Sequence, residues 1–127
     1  ALILLAQDNN LSEIIDTGVT INAVISKPLI ENIFFKNSPL HDGAMVIANE
    51  KIKAARCILP ITQNTQLPGS YGLRHRAGIG ITENSDCIAL VVSEETGSIR
   101  IIKGGKVYDV KASEMKAKIK ELSNKRN

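Results

Sequence analysis

Residues 87–110 read C-I-A-L-V-V-S-E-E-T-G-S-I-R-I-I-K-G-G-K-V-Y-D-V, and this stretch decides the fold class. Cys87–Ser93 is an apolar run of strand length, and Ser98–Lys103 is a second. Gly104–Gly105 is the dipeptide of a two-residue hairpin turn, leading into a third strand at Lys106–Val110. The same grammar recurs upstream: strand Ala44–Ala48, a turn at Asn49–Glu50, and strand Lys51–Leu59 stopped by Pro60. Ala1–Ala6 is a short apolar run ended by the turn cluster Q-D-N-N, and Thr20–Ile25 alternates as a strand does.

Helical signals fall between these strands. Leu11–Asp16 allows one or two turns, closing near Gly18. Ser26 can cap a helix with Pro28 in its first turn; Leu29, Ile30, Ile33 and Phe34 form its apolar face, and the end is expected near Lys36–Asn37. Ser113–Ser123 closes the chain as a helix with Met115, Ile119 and Leu122 on one face. Gly72–Asn84 is ambiguous. Its A-G-I-G-I (Ala77–Ile81) alternates, and each glycine disfavours helix by roughly 1 kcal/mol, so propensity alone predicts a strand. Ile61–Tyr71 is a polar loop containing Pro68 and Gly69, long enough for a functional role. Strands outnumber helices and neighbours are joined by tight turns. The expected fold is therefore mixed α/β, a central mixed β-sheet flanked by α-helices, in a single domain over residues 1–127.

The chain has 127 residues, enough to bury roughly two-thirds of its unfolded surface around one core. Trp is absent and only Phe34, Phe35, Tyr71 and Tyr108 are aromatic, so the core must be Ile, Val, Leu and Ala. The net charge of +3 is concentrated in Lys111–Asn127, which carries a surplus of four positive charges and leaves the rest at −1. A balanced, aromatic-poor body lacks the basic stripe and stacking rings of a nucleic-acid binder. Cys57 and Cys87 show no zinc-ligand spacing and read as two buried thiols in a reducing compartment. No apolar run approaches the ~20 residues that span a bilayer, and no signal peptide is visible. The chain opens on A-L-I-L-L-A without an initiator Met, which leads us to expect a domain excised from something longer.

Three clusters carry chemistry. Asp42 stands before Gly43 and Ala44, in S-P-L-H-D-G-A (Ser38–Ala44), with His41 beside it as a second metal-ligand type. D-G is also a common turn dipeptide. Arg74, His75 and Arg76 follow Gly72 and Leu73. On a helix, Arg74 and Arg76 would diverge by about 200°, yet the first turn of a helix attracts anions. Ser93, Glu94 and Glu95 follow an apolar strand, where one carboxylate could join Asp42 around Mg²⁺. A carboxylate for a metal or hydroxyl, with guanidiniums for phosphates, is the equipment of phosphoryl or nucleotidyl transfer.

These motifs, D-G-A (42–44), R-H-R (74–76) and V-S-E-E-T-G (92–97), with the flanking N-S-P-L-H and L-P-I (59–61), resemble the diadenylate cyclase catalytic domain (DAC domain) family. The likeness runs from the first strand to about Val110. It is greatest to the membrane-associated CdaA-type cyclases, whose catalytic domain follows transmembrane helices. The resemblance implies condensation of two ATP into cyclic di-AMP with release of two pyrophosphates, with Mg²⁺ or Mn²⁺, in a homodimer of facing subunits. It also implies a cytoplasmic domain of a membrane-anchored protein, no nucleic-acid partner, and a helix starting near R-H-R. By position, Asp42 resembles the essential aspartate serving the 3′-hydroxyl and the metal. Gly43 and Ala44 would lie against the nucleotide, and Gly72 and Leu73 beside it. Arg74, His75 and Arg76 would hold phosphates. Ser93 and Glu94 would contact the substrate, Glu95 and His41 the metal, and Ile58 and Leu59 would frame the adenine. Leu73 stands where the family usually has Thr, and Ile58 replaces an aromatic residue common in close relatives. A sensor domain that binds ATP or a cyclic dinucleotide without turnover is the alternative.

Overall fold

The computed structural model describes residues 1–60, 71–93 and 95–123. Its strands are β1 (Leu2–Leu5), β2 (Val19–Val24), β3 (Ala44–Ala48), β4 (Lys51–Cys57), β5 (Ile88–Val92), β6 (Ile99–Lys103) and β7 (Lys106–Val110). The helices are α1 (Ser12–Ile15), α2 (Lys27–Ile33), α3 (Leu73–Asn84) and α4 (Met115–Ser123), the last entered through a 3₁₀ turn at Ala112–Glu114. The strands form one sheet in the order β2-β4-β3-β1-β5-β6-β7. Only β1 and β3 run parallel; every other neighbouring pair is antiparallel. The sheet is mixed, as the tight turns predict.

Strand alternation sends successive side chains to opposite faces, and helices cover both. On one face Leu2, Leu4, Val46, Ala89, Val91 and Ile102 pack with Ile79 and Ile81 of α3 and with Ile14 and Ile15 of α1. On the other, Met45 and Ile52 meet Ile33 of α2, while Ile88, Leu90 and Ile101 meet Leu122 of α4. Two covered faces explain why β3 and β5 read as continuous apolar runs rather than alternating ones. The core is aliphatic, and Cys57 and Cys87 lie within it as free, buried thiols.

The strand that propensity predicts at Ala77–Ile81 is instead the middle of helix α3. Gly78, Ile79, Gly80, Ile81 and Thr82 are all buried, so this middle stretch of the helix has no solvent face to give it a 3.6-residue period. A Cβ added to Gly78 would lie 2.9 Å from Ile102 Cδ1. The glycine that lowers helix propensity is what lets α3 sit closely on β6. Burial against the sheet outweighs the propensity cost. Thr82 Oγ1 donates to the Gly78 carbonyl (2.8 Å) and accepts from the Gly105 amide (3.0 Å), pinning α3 to the β6–β7 turn.

Other boundaries shift slightly. Ser26 Oγ accepts from Leu29 N (3.2 Å) and caps α2 as expected. That helix stops at Ile33, short of Lys36–Asn37, because the backbone leaves helical geometry at Phe34 and closes a turn from Ser38 N to Phe35 O. Strand β4 ends at Cys57 rather than Leu59: Arg56 takes a positive φ of 56°, and Ile58 N turns to Thr17 Oγ1. Most of the expected loop Ile61–Tyr71, together with Glu94, lies outside the described residues.

Candidate active site

The site lies at one end of the sheet's central strands, where β1 and β3 begin, β4 and β5 end, and α3 presents its first turn. A cavity of about 690 Å³ opens there. Its apolar wall is made by Leu2, Cys57, Val91 and Val92, and its polar groups come from three chain segments. Asp42 and Gly43 precede β3, Arg74 and His75 stand on the first turn of α3, and Ser93 and Glu95 follow β5. Ala44, Ile58, Leu59, Gly72 and Leu73 complete the lining among the predicted residues. Volume and lining suit one nucleotide-sized ligand. An adjoining recess of about 470 Å³ shares Asp42, Gly43 and Ile58 and adds Thr17 and Arg56.

Each segment is shaped for this placement. Gly43 has φ +85°, and a Cβ there would come within 2.7 Å of the Cys57 carbonyl oxygen. The turn therefore holds Asp42 against the end of β4, with its side chain 76% exposed. Gly72 is the N-cap of α3, and among the described residues no side chain caps that end. The first-turn amides and helix dipole face the cavity rim beside Arg74 and His75, an arrangement that favours an anion. Ile58 and Leu73 are 69% and 71% exposed, leaving two large apolar side chains at the mouth.

Two predicted residues are arranged differently. Arg76 is not part of the lining; its Nε donates to the Tyr71 carbonyl at 3.2 Å, as its divergence from Arg74 around the helix requires. His41 stands behind Asp42, with Nε2 3.2 Å from Oδ1 and Nδ1 2.7 Å from the Ser38 carbonyl. A carbonyl and a carboxylate both only accept, so each ring nitrogen is placed to donate, and a divalent cation between Nε2 and Oδ1 would take the place of the Nε2 proton. That N,O pair suits a divalent cation. Among the described residues, no three His, Cys, Asp or Glu side chains gather into a complete metal site. A cation held by Asp42, with His41 or Glu95, would therefore need substrate oxygens and water for its other positions, as Mg²⁺ commonly does.

Sequence reasoning missed the surroundings of His75. Tyr71 stacks on its imidazole (centroids 5.3 Å apart, planes 13° apart), and Arg100 Nη1 lies 3.3 Å from its Nε2. Arg100 Nε in turn donates to Asp109 Oδ1 at 2.8 Å. Burial and the Arg100 guanidinium hold the His75 pKa below its ordinary value. The cue was a lone arginine within an apolar strand, opposite an aspartate across a two-residue turn. Burial alone pushes the Cys57 thiol up to about 11, so it faces the cavity as an inert thiol.

Residues 1–107 match a family model described as "DAC: DisA bacterial checkpoint controller nucleotide-binding". The chain is 46% identical over 124 residues to a protein named diadenylate cyclase in Listeria monocytogenes, a match covering 96% of this chain and 45% of that protein. It is 38% identical over 127 residues to the cyclic di-AMP synthase CdaA of Bacillus subtilis, covering all of this chain and 46% of the relative. The chain thus spans about half the length of these curated relatives. The crystal structure of DacA from Staphylococcus aureus superimposes with a TM-score of 0.91 at 37% identity, covering 98% of this chain and 84% of that one. A Bacillus cereus structure described as a hypothetical membrane spanning protein gives 0.83 at 44% identity, over 87% of this chain and 54% of that one. With the three motifs gathered around one cavity, these matches show that the chain belongs to the DAC family.

Proposed function

We propose that this chain is the catalytic domain of a diadenylate cyclase, condensing two ATP molecules into cyclic di-AMP with release of two pyrophosphates. The observation that carries this reading is the meeting of Asp42 with Arg74 and His75 across one cavity, although some thirty residues separate them in sequence. Arg74, His75 and the first-turn amides of α3 bind phosphate oxygens and neutralise charge that grows on the leaving pyrophosphate. Asp42 takes the proton of the attacking 3′-hydroxyl or orients it; Ile58 and Leu59 lie against the base. A divalent cation, Mg²⁺ or Mn²⁺, would be held by Asp42 with His41 or Glu95, and when bound it supplies Lewis-acid neutralisation of phosphate charge.

One cavity of this size takes one nucleotide. Joining two requires a second subunit facing the first, so that each 3′-hydroxyl lies in line with the other nucleotide's α-phosphorus. The functional unit in this reading is a homodimer, the full-length protein is anchored in the membrane as the Bacillus cereus relative's description indicates for that protein, and this domain works in the cytoplasm.

The test is incubation with ATP and Mg²⁺ or Mn²⁺ and product analysis by mass spectrometry, with Asp42→Asn alongside. Cyclic di-AMP from the parent, reduced at least a hundredfold in Asp42→Asn, is the expected result. Metal-dependent ATP binding with no product in either metal would replace the cyclase with a nucleotide sensor.

A further inference from the structure

Four side chains outside the phosphate-binding set form a frame around His75. Arg100 Nη1 lies 3.3 Å from His75 Nε2. A guanidinium has donors and no acceptor, so Nε2 accepts, and the single proton of the neutral ring must sit on Nδ1. The arginine is itself held. Its Nε donates to Asp109 Oδ1 at 2.8 Å, and Arg100 and Asp109 are direct cross-strand partners in the β6–β7 hairpin. Tyr71 lies flat against the imidazole at 5.3 Å, and the Arg100 guanidinium carbon is 5.3 Å from the Tyr71 ring centroid. Arg76 fastens the Tyr71 backbone through its carbonyl. With one face stacked and Nε2 occupied, turning the ring over would break the Arg100 contact.

We propose that Arg100, set by Asp109, is a positioning residue that fixes the tautomer of His75, so that the nitrogen left to meet a cavity ligand is a protonated Nδ1. A fixed N–H donor matches a phosphate oxygen, which only accepts, and it does so without the ring having to carry charge. That the ligand is a nucleotide phosphate rests on the cyclase reading; the tautomer does not. Among the described residues, the charged groups acting on the ring are Arg100 on β6, Asp109 on β7 and the amino group of Ala1 next to β1. Burial, Arg100 and the amino group disfavour the imidazolium, whereas Asp109 favours it.

The test follows the imidazole nitrogens of the ¹⁵N-histidine-labelled chain by long-range ¹H–¹⁵N NMR against pH, in the parent, Arg100→Gln and Asp109→Asn. There are two histidines, so His41→Gln assigns the signals. The parent should show a protonated Nδ1 and a bare Nε2, with a midpoint below the ordinary histidine value. Arg100→Gln should mix the tautomers and raise the midpoint. Asp109→Asn, at a side chain 81% exposed, should lower it further. The opposite signs matter, because loosening of the fold would move both midpoints up. A parent ring protonated on Nε2, or variants that shift the same way or not at all, overturns the proposal.

Activity provides the second arm. Cyclic di-AMP turnover should fall about tenfold in Arg100→Gln, the loss expected for one charge-assisted hydrogen bond. Unchanged turnover in that variant removes the positioning role. A parent that makes no cyclic di-AMP but shows the predicted tautomer would refute the cyclase reading and leave the His75 frame standing.

Discussion

Replacing Gly43 by alanine tests how Asp42 is held. At φ +85° an L-residue sits in the left-handed region, which costs roughly 1–2 kcal/mol. The added Cβ would also lie 2.7 Å from the Cys57 carbonyl oxygen and 3.0 and 3.1 Å from C and Cα of Arg56. All three are backbone atoms of β4, so no side chain can swing aside and the strand end must move. Overpacking of that kind typically adds about 1–3 kcal/mol. The sum for Gly43→Ala is about 2–5 kcal/mol.

Gly97→Ala isolates the first contribution. Its φ is +72°, but no described residue lies within 4 Å of the added Cβ, so only the conformational cost of about 1–2 kcal/mol applies. Urea unfolding of both variants, compared at constant m-value, reads the difference directly. Ala44 pairs with Cys57 across the β3–β4 ladder, so moving the end of β4 also displaces Asp42. We expect product formation by folded Gly43→Ala to fall by about a hundredfold, the scale of a 1 Å misplacement. Equal destabilisation in the two variants would refute the reasoning, because the approach of Gly43 to β4 would then not be a rigid constraint.

Two further outcomes follow from the lining. Leu73→Thr introduces a hydroxyl beside the phosphate-binding turn; one neutral hydrogen bond is worth about 1 kcal/mol, or about fivefold in kcat/KM. Since Leu73 is 71% exposed, its unfolding midpoint should barely change, and kinetics with ATP should show a gain rather than a loss. The two buried thiols predict an alkaline limb in stability. Burial raises Cys57 from an ordinary 9.0 to about 11 and raises Cys87 as well. Because the unfolded chain releases these protons first, the stability they confer is complete below about pH 9 and is lost as pH rises toward 11. Urea midpoints measured from about pH 8 to about pH 10 should fall, and Cys57→Ala should flatten the slope.

Most of the sheet was legible because each strand is punctuated. The Asn49–Glu50 turn and Gly104–Gly105 mark ends that local chemistry alone dictates, whereas β4 stops before Pro60 because Ile58 N turns to Thr17 Oγ1. Helix α3 was not, because its determinants lie in another part of the chain. The alternation of Ala77–Ile81 is real, but a helical stretch buried on all sides, as Gly78–Thr82 is, has no amphipathic period to display, and glycine's propensity cost is visible locally while its packing gain is not. The family resemblance supplied the helix where the pattern could not. The opposed directions of Arg74 and Arg76, by contrast, follow from helix geometry once the helix is granted, and the structure places one on the cavity and the other on the Tyr71 carbonyl.

The His75 frame shows where such reading stops. Half of it was available: a two-residue turn pairing Lys103 with Lys106 also pairs Arg100 with Asp109, so that ion pair could be counted off the hairpin. The other half depends on docking. Gly78 and His75 are one helical turn apart, and Ile102 and Arg100 are one strand period apart on the face that meets α3. The contact of Gly78 with Ile102 therefore sets the contact of His75 with Arg100. A methyl at position 78 would press on the end of the Ile102 side chain, which has room to turn aside, whereas a bulkier group would have to push α3 away from β6 and His75 away from the guanidinium. The glycine that misled the propensity argument is thus the residue that brings the helix close enough for the cavity's histidine to have a defined proton.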